Sequence, residues 1–204
     1  NKHVYLCWAC LLAAGAGESA FAQRPPDSVV SEIPACERVP KGTYRPVRAW
    51  EAESLTSHMT GVAAADASAS GGKAWDGRRD VDAPNKYLLF GPYLDVPEGN
   101  YVAFFRLKLL EKTEDDIAAR LDTSVGEGVT TVSAKDVWTG DLSCDRYVQI
   151  PLAFHSSAGR LECRLYWNGY AGLRLDSVSL FALDGAAADL LLRAPSAAPS
   201  GLPN

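Results

Sequence analysis

Three stretches of this chain alternate apolar and polar residues with little interruption. In residues 101–110, Ala103, Phe105, Leu107 and Leu109 share one parity while Arg106 and Lys108 hold the other. Val148, Ile150, Leu152 and Phe154 form a second stripe. Leu161, Cys163, Leu165 and Trp167 form a third, set against Arg160, Glu162, Arg164 and Tyr166. Side chains two apart on a strand point the same way, so this period predicts half-buried strands. Turn-forming clusters separate the apolar runs: Pro97-Glu98-Gly99-Asn100, Gly126-Glu127-Gly128 and Ser156-Ser157-Ala158-Gly159. Residues 147–154 and 160–167 therefore read as a hairpin. Pro151 cannot donate to a ladder, which predicts an edge strand or a bulge. No stretch has the period of an amphipathic helix. The predicted class is all-β, a jelly-roll β-sandwich of two antiparallel sheets.

Composition narrows the class. The 204 residues carry a net charge of −5, against the clustered Lys and Arg that nucleic acid requires. No apolar run is long enough for a bilayer span. Lys2, the apolar residues 4–14 and Ala20-Phe21-Ala22 form the pattern of an export signal, cleaved between Ala22 and Gln23. Residues 1–22 thus read as a signal peptide and the protein as secreted or periplasmic. Residues 23–48, rich in Pro, Ser and charge, read as a linker or wrapping segment. Residues 49–184 form the domain, and 185–204, mostly Ala, Pro, Ser and Gly, a disordered tail.

Past residue 22 the cysteines are Cys36, Cys144 and Cys163, an odd number in an exported chain. The hairpin sets Cys163 opposite Pro151 and leaves Cys144 about 20 Å away, at ~3.3 Å per residue. A disulfide needs Cα atoms within roughly 7 Å. Cys163 reads as a buried small hydrophobe, and a Cys36–Cys144 pair stays open.

Candidate chemistry gathers in Trp50-Glu51-Ala52-Glu53. As a strand, this segment puts Glu51, Glu53 and Leu55 on one face. Two carboxylates side by side repel each other and lose hydration, unless a cation offsets both penalties. An all-oxygen site suits Ca²⁺; a solvated edge strand is the alternative. Asp176 shares parity with Val178 and Leu180, which places it on a buried face in need of a partner.

These segments, taken in order, resemble carbohydrate-binding modules of families 6 and 35. Trp50-Glu51-Ala52-Glu53 is similar to their Tyr-Glu-Ala-Glu opening, and residues 67–74 to their early Ser/Gly-rich segment. Residues 91–101 resemble their strand, Pro-x-Gly turn and Tyr. Trp167-Asn168-Gly169 leading into Leu175-Asp176-Ser177-Val178 resembles their closing loop and last strand. The likeness covers residues 47–183, with a departure in the long, charged segment 111–116. It implies a galactose-binding-like sandwich that binds a polysaccharide or oligosaccharide, alone or as an accessory to a secreted enzyme. It also implies a structural Ca²⁺ on the carboxylates of Glu51, Glu53 and Asp176 plus backbone carbonyls.

Sugars stack their C–H patches on aromatic rings and need planar amides or carboxylates for their hydroxyls. Loop aromatics near such groups are Trp75, before Asp76-Gly77-Arg78-Arg79, and Trp138, before Thr139-Gly140-Asp141. Asn168 and Tyr170 precede the final strand, where the resembled family often places a ligand-binding Asn. Trp75 and Trp138 have a second reading as core or lid residues; Trp167, by parity, reads as core. His58 and His155 read as surface or turn residues, and Arg78 and Arg79 as a solvated loop or a fork for a sugar carboxylate. The chain has no Gly-x-Ser-x-Gly elbow and no His-Glu-x-x-His pattern. Neighbours on one strand cannot oppose each other across a glycosidic bond. The expectation is a non-catalytic binding module, with a protein-binding adhesion or assembly domain as the alternative.

Overall fold

The computed structural model describes residues 27–34, 42–54 and 56–184. The expected signal peptide and tail lie outside them, as do Cys36 and Leu55. A five-residue helix, α1 (Asp27–Ser31), precedes nine strands. These are β1 (Thr43–Glu51), β2 (Val62–Ala65), β3 (Lys73–Gly77), β4 (Lys86–Leu89), β5 (Leu94–Leu109), β6 (Ile117–Val125), β7 (Thr130–Trp138), β8 (Val148–Trp167) and β9 (Leu173–Asp184). All pairings are antiparallel, in the order β2-β3-β9-β5-β8-β6-β7, with β1 also on β9 and β4 also on β8. The long β8 joins two layers. Up to Leu161 it pairs with β5, and from Glu162 onward with β6. The first sheet holds β1, β2, β3, β9, β5 and the start of β8; the second holds β4, the end of β8, β6 and β7. The result is the β-sandwich that the alternation predicts.

All three predicted stripes meet in the core between the sheets, with Phe105, Leu107, Ile150, Leu165 and Trp167 at most 1% exposed. Each such side chain contributes about 1.5–3 kcal/mol of burial free energy. Cys163 lies in this core, where burial pushes its thiol well above the ordinary range. Pro151 sits opposite Phe104 on the part of β8 that pairs only with β5. On its free side, Ser133 Oγ and Lys135 Nζ donate to the carbonyls of Ala153 and Pro151 at 3.3 Å each. Pro151 is the edge residue its missing N–H calls for.

Four local expectations are corrected. The hairpin between 147–154 and 160–167 does not form, because β8 runs unbroken through Ser156-Ser157-Ala158-Gly159. Those residues pair with the other supposed turn, as in Glu98 with Ser157 and Gly99 with Ser156. Each turn-like segment supplies the backbone partners of the other, which overrides local propensity. With the hairpin goes the geometry that kept Cys163 from Cys144, yet among the described residues neither thiol is paired.

The second correction concerns Glu51 and Glu53. β1 starts at Thr43 and ends at Glu51, and a turn closed by Ser54 N donating to Glu51 O (3.1 Å) carries Glu53 off the strand. The third concerns Asp176. Between β5 and β9 the register shifts, so that Arg106 faces Ser177 while Leu107 faces Leu175. Leu175 and Val178 both enter the core, and the bulge turns Asp176 to the outer side of the first sheet, with Arg106. The fourth, Trp75, belongs to the site below.

Two things cover that outer side. Val29 of α1, with Ile33, packs on Tyr44, Val102, Phe104, Phe181 and Leu183. The connection between β2 and β3 lies over the charged half.

Candidate functional site

Asp176 is wholly buried. Ser70 donates to both its oxygens, from N to Oδ1 and from Oγ to Oδ2, at 2.9 Å each. Arg106 Nη1 donates to Oδ2 at 2.7 Å. The partner that buried Asp176 needs is thus a guanidinium of the chain itself. Arg106 is in turn gripped by Glu32, from Nε to Oε2 and Nη2 to Oε1, at 2.8 Å each. Alongside, Asp66 Oδ2 accepts from Lys108 Nζ, Arg174 Nη1 and Tyr147 Oη at 2.8, 2.7 and 3.0 Å. Arg174 also forks onto Asp76 at 2.6 Å.

Glu51 Oε2 lies 2.7 Å from the same Ser70 Oγ, whose single proton serves one of the two carboxylates at a time. Burial, then the charges of Asp176 and Glu53, raise its carboxyl above the ordinary value, against the Ser70 bond and Arg106. Glu53 Oε2 is buried without a hydrogen-bond partner. A Cβ at Gly71 would fall 3.3 Å from the Glu51 carboxyl carbon, so glycine lets this connection close over the acids. Among the described residues no three His, Cys, Asp or Glu side chains converge as a metal chelate; two carboxylates meet on one hydroxyl. The donor chemistry still fits a cation. Asp176 and Glu51 share the charge of an Arg106 that Glu32 already engages, and Glu53, whose charge reaches Glu51, keeps an orphaned oxygen.

The predicted sugar contacts divide. Trp138 ends β7 with 45% of its surface exposed. Asn168 Nδ2 donates to the carbonyl of Ile117 at 2.7 Å, and Ile117 is the β6 partner of Trp138. Asn168 Oδ1 accepts from Tyr170 N at 2.9 Å. These three residues therefore gather at one end of the sandwich. Next to them, residues 80–84 and Gly169 line a concavity of about 440 Å³. The same loops carry Tyr170 and Arg79, whose guanidinium stands 5.8 Å from the Tyr170 ring centre. Gly169 holds φ +86, and a Cβ there would meet Pro84 at 2.4 Å, so the loops close only on glycine.

Trp75 is not a loop residue. It lies on β3, half-buried, with Nε1 donating to Thr60 O at 2.9 Å. His58 stacks on it at 3.5 Å, tilted by 9°. Burial lowers the pKa of His58, whose ring also contacts Leu88 O. The pair is a lid against the core. Arg78 is fixed as a fork on Asp82 at 2.9 Å. Trp167 is core, its Nε1 donating to Ala171 O at 2.8 Å. Sequence reasoning missed Arg106, Glu32 and Ser70: the outward parity of Arg106 was a signal, but the residues that cover it were not.

The fold is a β-sandwich like that of solved carbohydrate-binding modules. The chain is similar to a family 35 carbohydrate-binding module from Clostridium thermocellum, with a TM-score of 0.50 and 21% identity over 67% of this chain and 99% of that one. It is also similar to the CBM6cm-2 module of Cellvibrio mixtus lichenase 5A, solved with cellotriose (TM-score 0.45, 15% identity, 68% and 99% covered). The CBM22-1 xylan-binding domain of Paenibacillus barcinonensis Xyn10C is a third such structure (TM-score 0.44, 14% identity, 73% and 100% covered). No family model matches the sequence, and no curated protein matches it. The first likeness establishes the fold.

Proposed function

We propose that this chain is an exported, non-catalytic module, alone or accessory to a secreted enzyme. It holds a polysaccharide or oligosaccharide at the loop end that carries Trp138, Asn168 and Tyr170. The observation that supports this reading is the Trp138 ring, 45% exposed and fixed by strand pairing beside the Asn168 loop. A rigid aromatic face with polar neighbours suits the C–H patch and hydroxyls of a sugar. Export rests on residues 4–14 and Ala20-Phe21-Ala22. In the same reading Glu51 and Glu53, with Asp176, hold a Ca²⁺ that neutralises their charge and ties the β2–β3 connection to the end of β1.

A polysaccharide pull-down tests the glycan part. Trp138→Ala is expected to weaken retention at least about tenfold, close to 1.4 kcal/mol, with an unchanged melting temperature. Trp75→Ala is expected to lower the melting temperature instead. Equal retention by wild type and Trp138→Ala would remove the platform. Capture of a protein with no glycan retained would favour an adhesion role.

A further inference from the structure

Asp176 offers two oxygens with about four acceptor sites. Four donors reach them: Ser70 N on Oδ1, and Ser70 Oγ, Arg106 Nη1 and Ser177 Oγ on Oδ2. Three of the four crowd Oδ2, which is filled without any metal, while Oδ1 carries one. A cation that drew on Oδ2 would have to displace one donor. The serine hydroxyls can rotate and present lone pairs to the ion. Arg106 cannot, because a guanidinium has no acceptor and repels a second positive charge. Its position is also not accidental: Glu32 takes Nε and Nη2, which leaves Nη1 aimed at Asp176.

We infer that Arg106 is a resident cation that competes with Ca²⁺ for Asp176, held in place by Glu32 of the segment before β1. This rests on the calcium reading above and goes past it. The chain carries its own substitute for the metal charge, so the native fold does not depend on Ca²⁺, and the affinity for Ca²⁺ is held low. Without Arg106, Asp176 is buried among carboxylates with no counter-charge, and Ca²⁺ becomes its best partner.

Calorimetric titration of Ca²⁺ into the chelator-treated protein reads this directly. Arg106→Gln is expected to bind Ca²⁺ at least about tenfold more tightly than wild type. Its melting temperature should rise with Ca²⁺ by several degrees more than that of wild type. Arg106→Lys keeps the charge and should stay near wild type. A second measurement needs no variant: the Arg106 side-chain NMR signal of the wild type should move as Ca²⁺ saturates the protein. Equal affinity in wild type and Arg106→Gln, or an Arg106 signal unmoved at saturation, would overturn the competition while leaving the metal site standing. No uptake by either protein would sink the calcium reading and this inference together.

Discussion

The two sheets use the same grammar on their outer faces, alternating cations and carboxylates against the core parity, and the chain treats them differently. On the first sheet Arg106, Lys108 and Arg174 are covered by residues 66–72 and by Glu32, and every one of them has a carboxylate within 2.8 Å. On the second, Arg164 is nearly buried against Asp122, under the β6–β7 turn, with Nη1 donating to Gly128 O at 3.3 Å. A strand away, Arg120 pairs with Asp136 in the open, the side chains 33% and 39% exposed. Next to that pair Tyr87 and Tyr166 stand edge to face at 5.5 Å. An ion pair's worth follows from its cover, since breaking a buried pair strands a charge while an exposed one falls back on water.

The sharpest way to break this comparison is at Asp66, which takes Lys108, Arg174 and Tyr147 on one oxygen. Asp66→Asn leaves Lys108 without its carboxylate and Arg174 with Asp76 alone, and is expected to cost about 3 kcal/mol, read by denaturant unfolding. Burial alone would raise its pKa, but bonds from Lys108, Ser68 and Arg174 outweigh that and hold it far below the usual carboxylate range. A depressed pKa gives stability that is fully present above the unfolded value, about 3.9, and is lost as the pH falls below it. Wild type should therefore lose stability below about pH 4 more steeply than Asp66→Asn does. Parallel acid profiles would contradict the assignment.

How far this contrast could be read from sequence depends on the residue. The core stripes and the edge role of Pro151 followed from period and proline chemistry, which are local. The outward parity of Arg106, Lys108 and Arg164 was equally legible. What covers each of them was not, because Glu32 and Asp66 lie 74 and 42 positions from Arg106 and Lys108. The one-residue bulge at Asp176 moved it from the core side to the outer side, and no pattern in residues 173–180 announces it. At the loop end Trp138 and Asn168 were legible as turn-flanking residues. Trp75 was not, since a short strand between Gly72 and Gly77 reads as a loop.

A smaller effect of opposite sign is expected on the second sheet. Glu162 is 2% exposed and its Oε1 has no hydrogen-bond partner. Burial, then the charges of Asp122 and Glu127, push its carboxyl up, against Arg164. A raised carboxyl binds its proton more tightly in the folded state, so it destabilises at neutral pH and the penalty fades as the pH falls through its folded value. Glu162→Gln should stabilise the protein by about 0.5–1 kcal/mol at pH 7, with the gain shrinking toward pH 4. A melting temperature unchanged or lowered at pH 7 would mean that Glu162 is satisfied.

The smallest effect belongs to Arg120. Its Nη1 stands 3.0 Å from Asp136 Oδ1, as good a hydrogen bond as several on the covered sheet. Geometry alone would rank it with Arg106. Solvent at a third of both side chains says otherwise, because water replaces either partner at little cost. Arg120→Ala is expected to change stability by less than about 1 kcal/mol, and raised salt should erase even that difference. A loss comparable to that of Asp66→Asn would show that cover is not what separates the two faces, and the contrast would have to be sought in how each strand is paired.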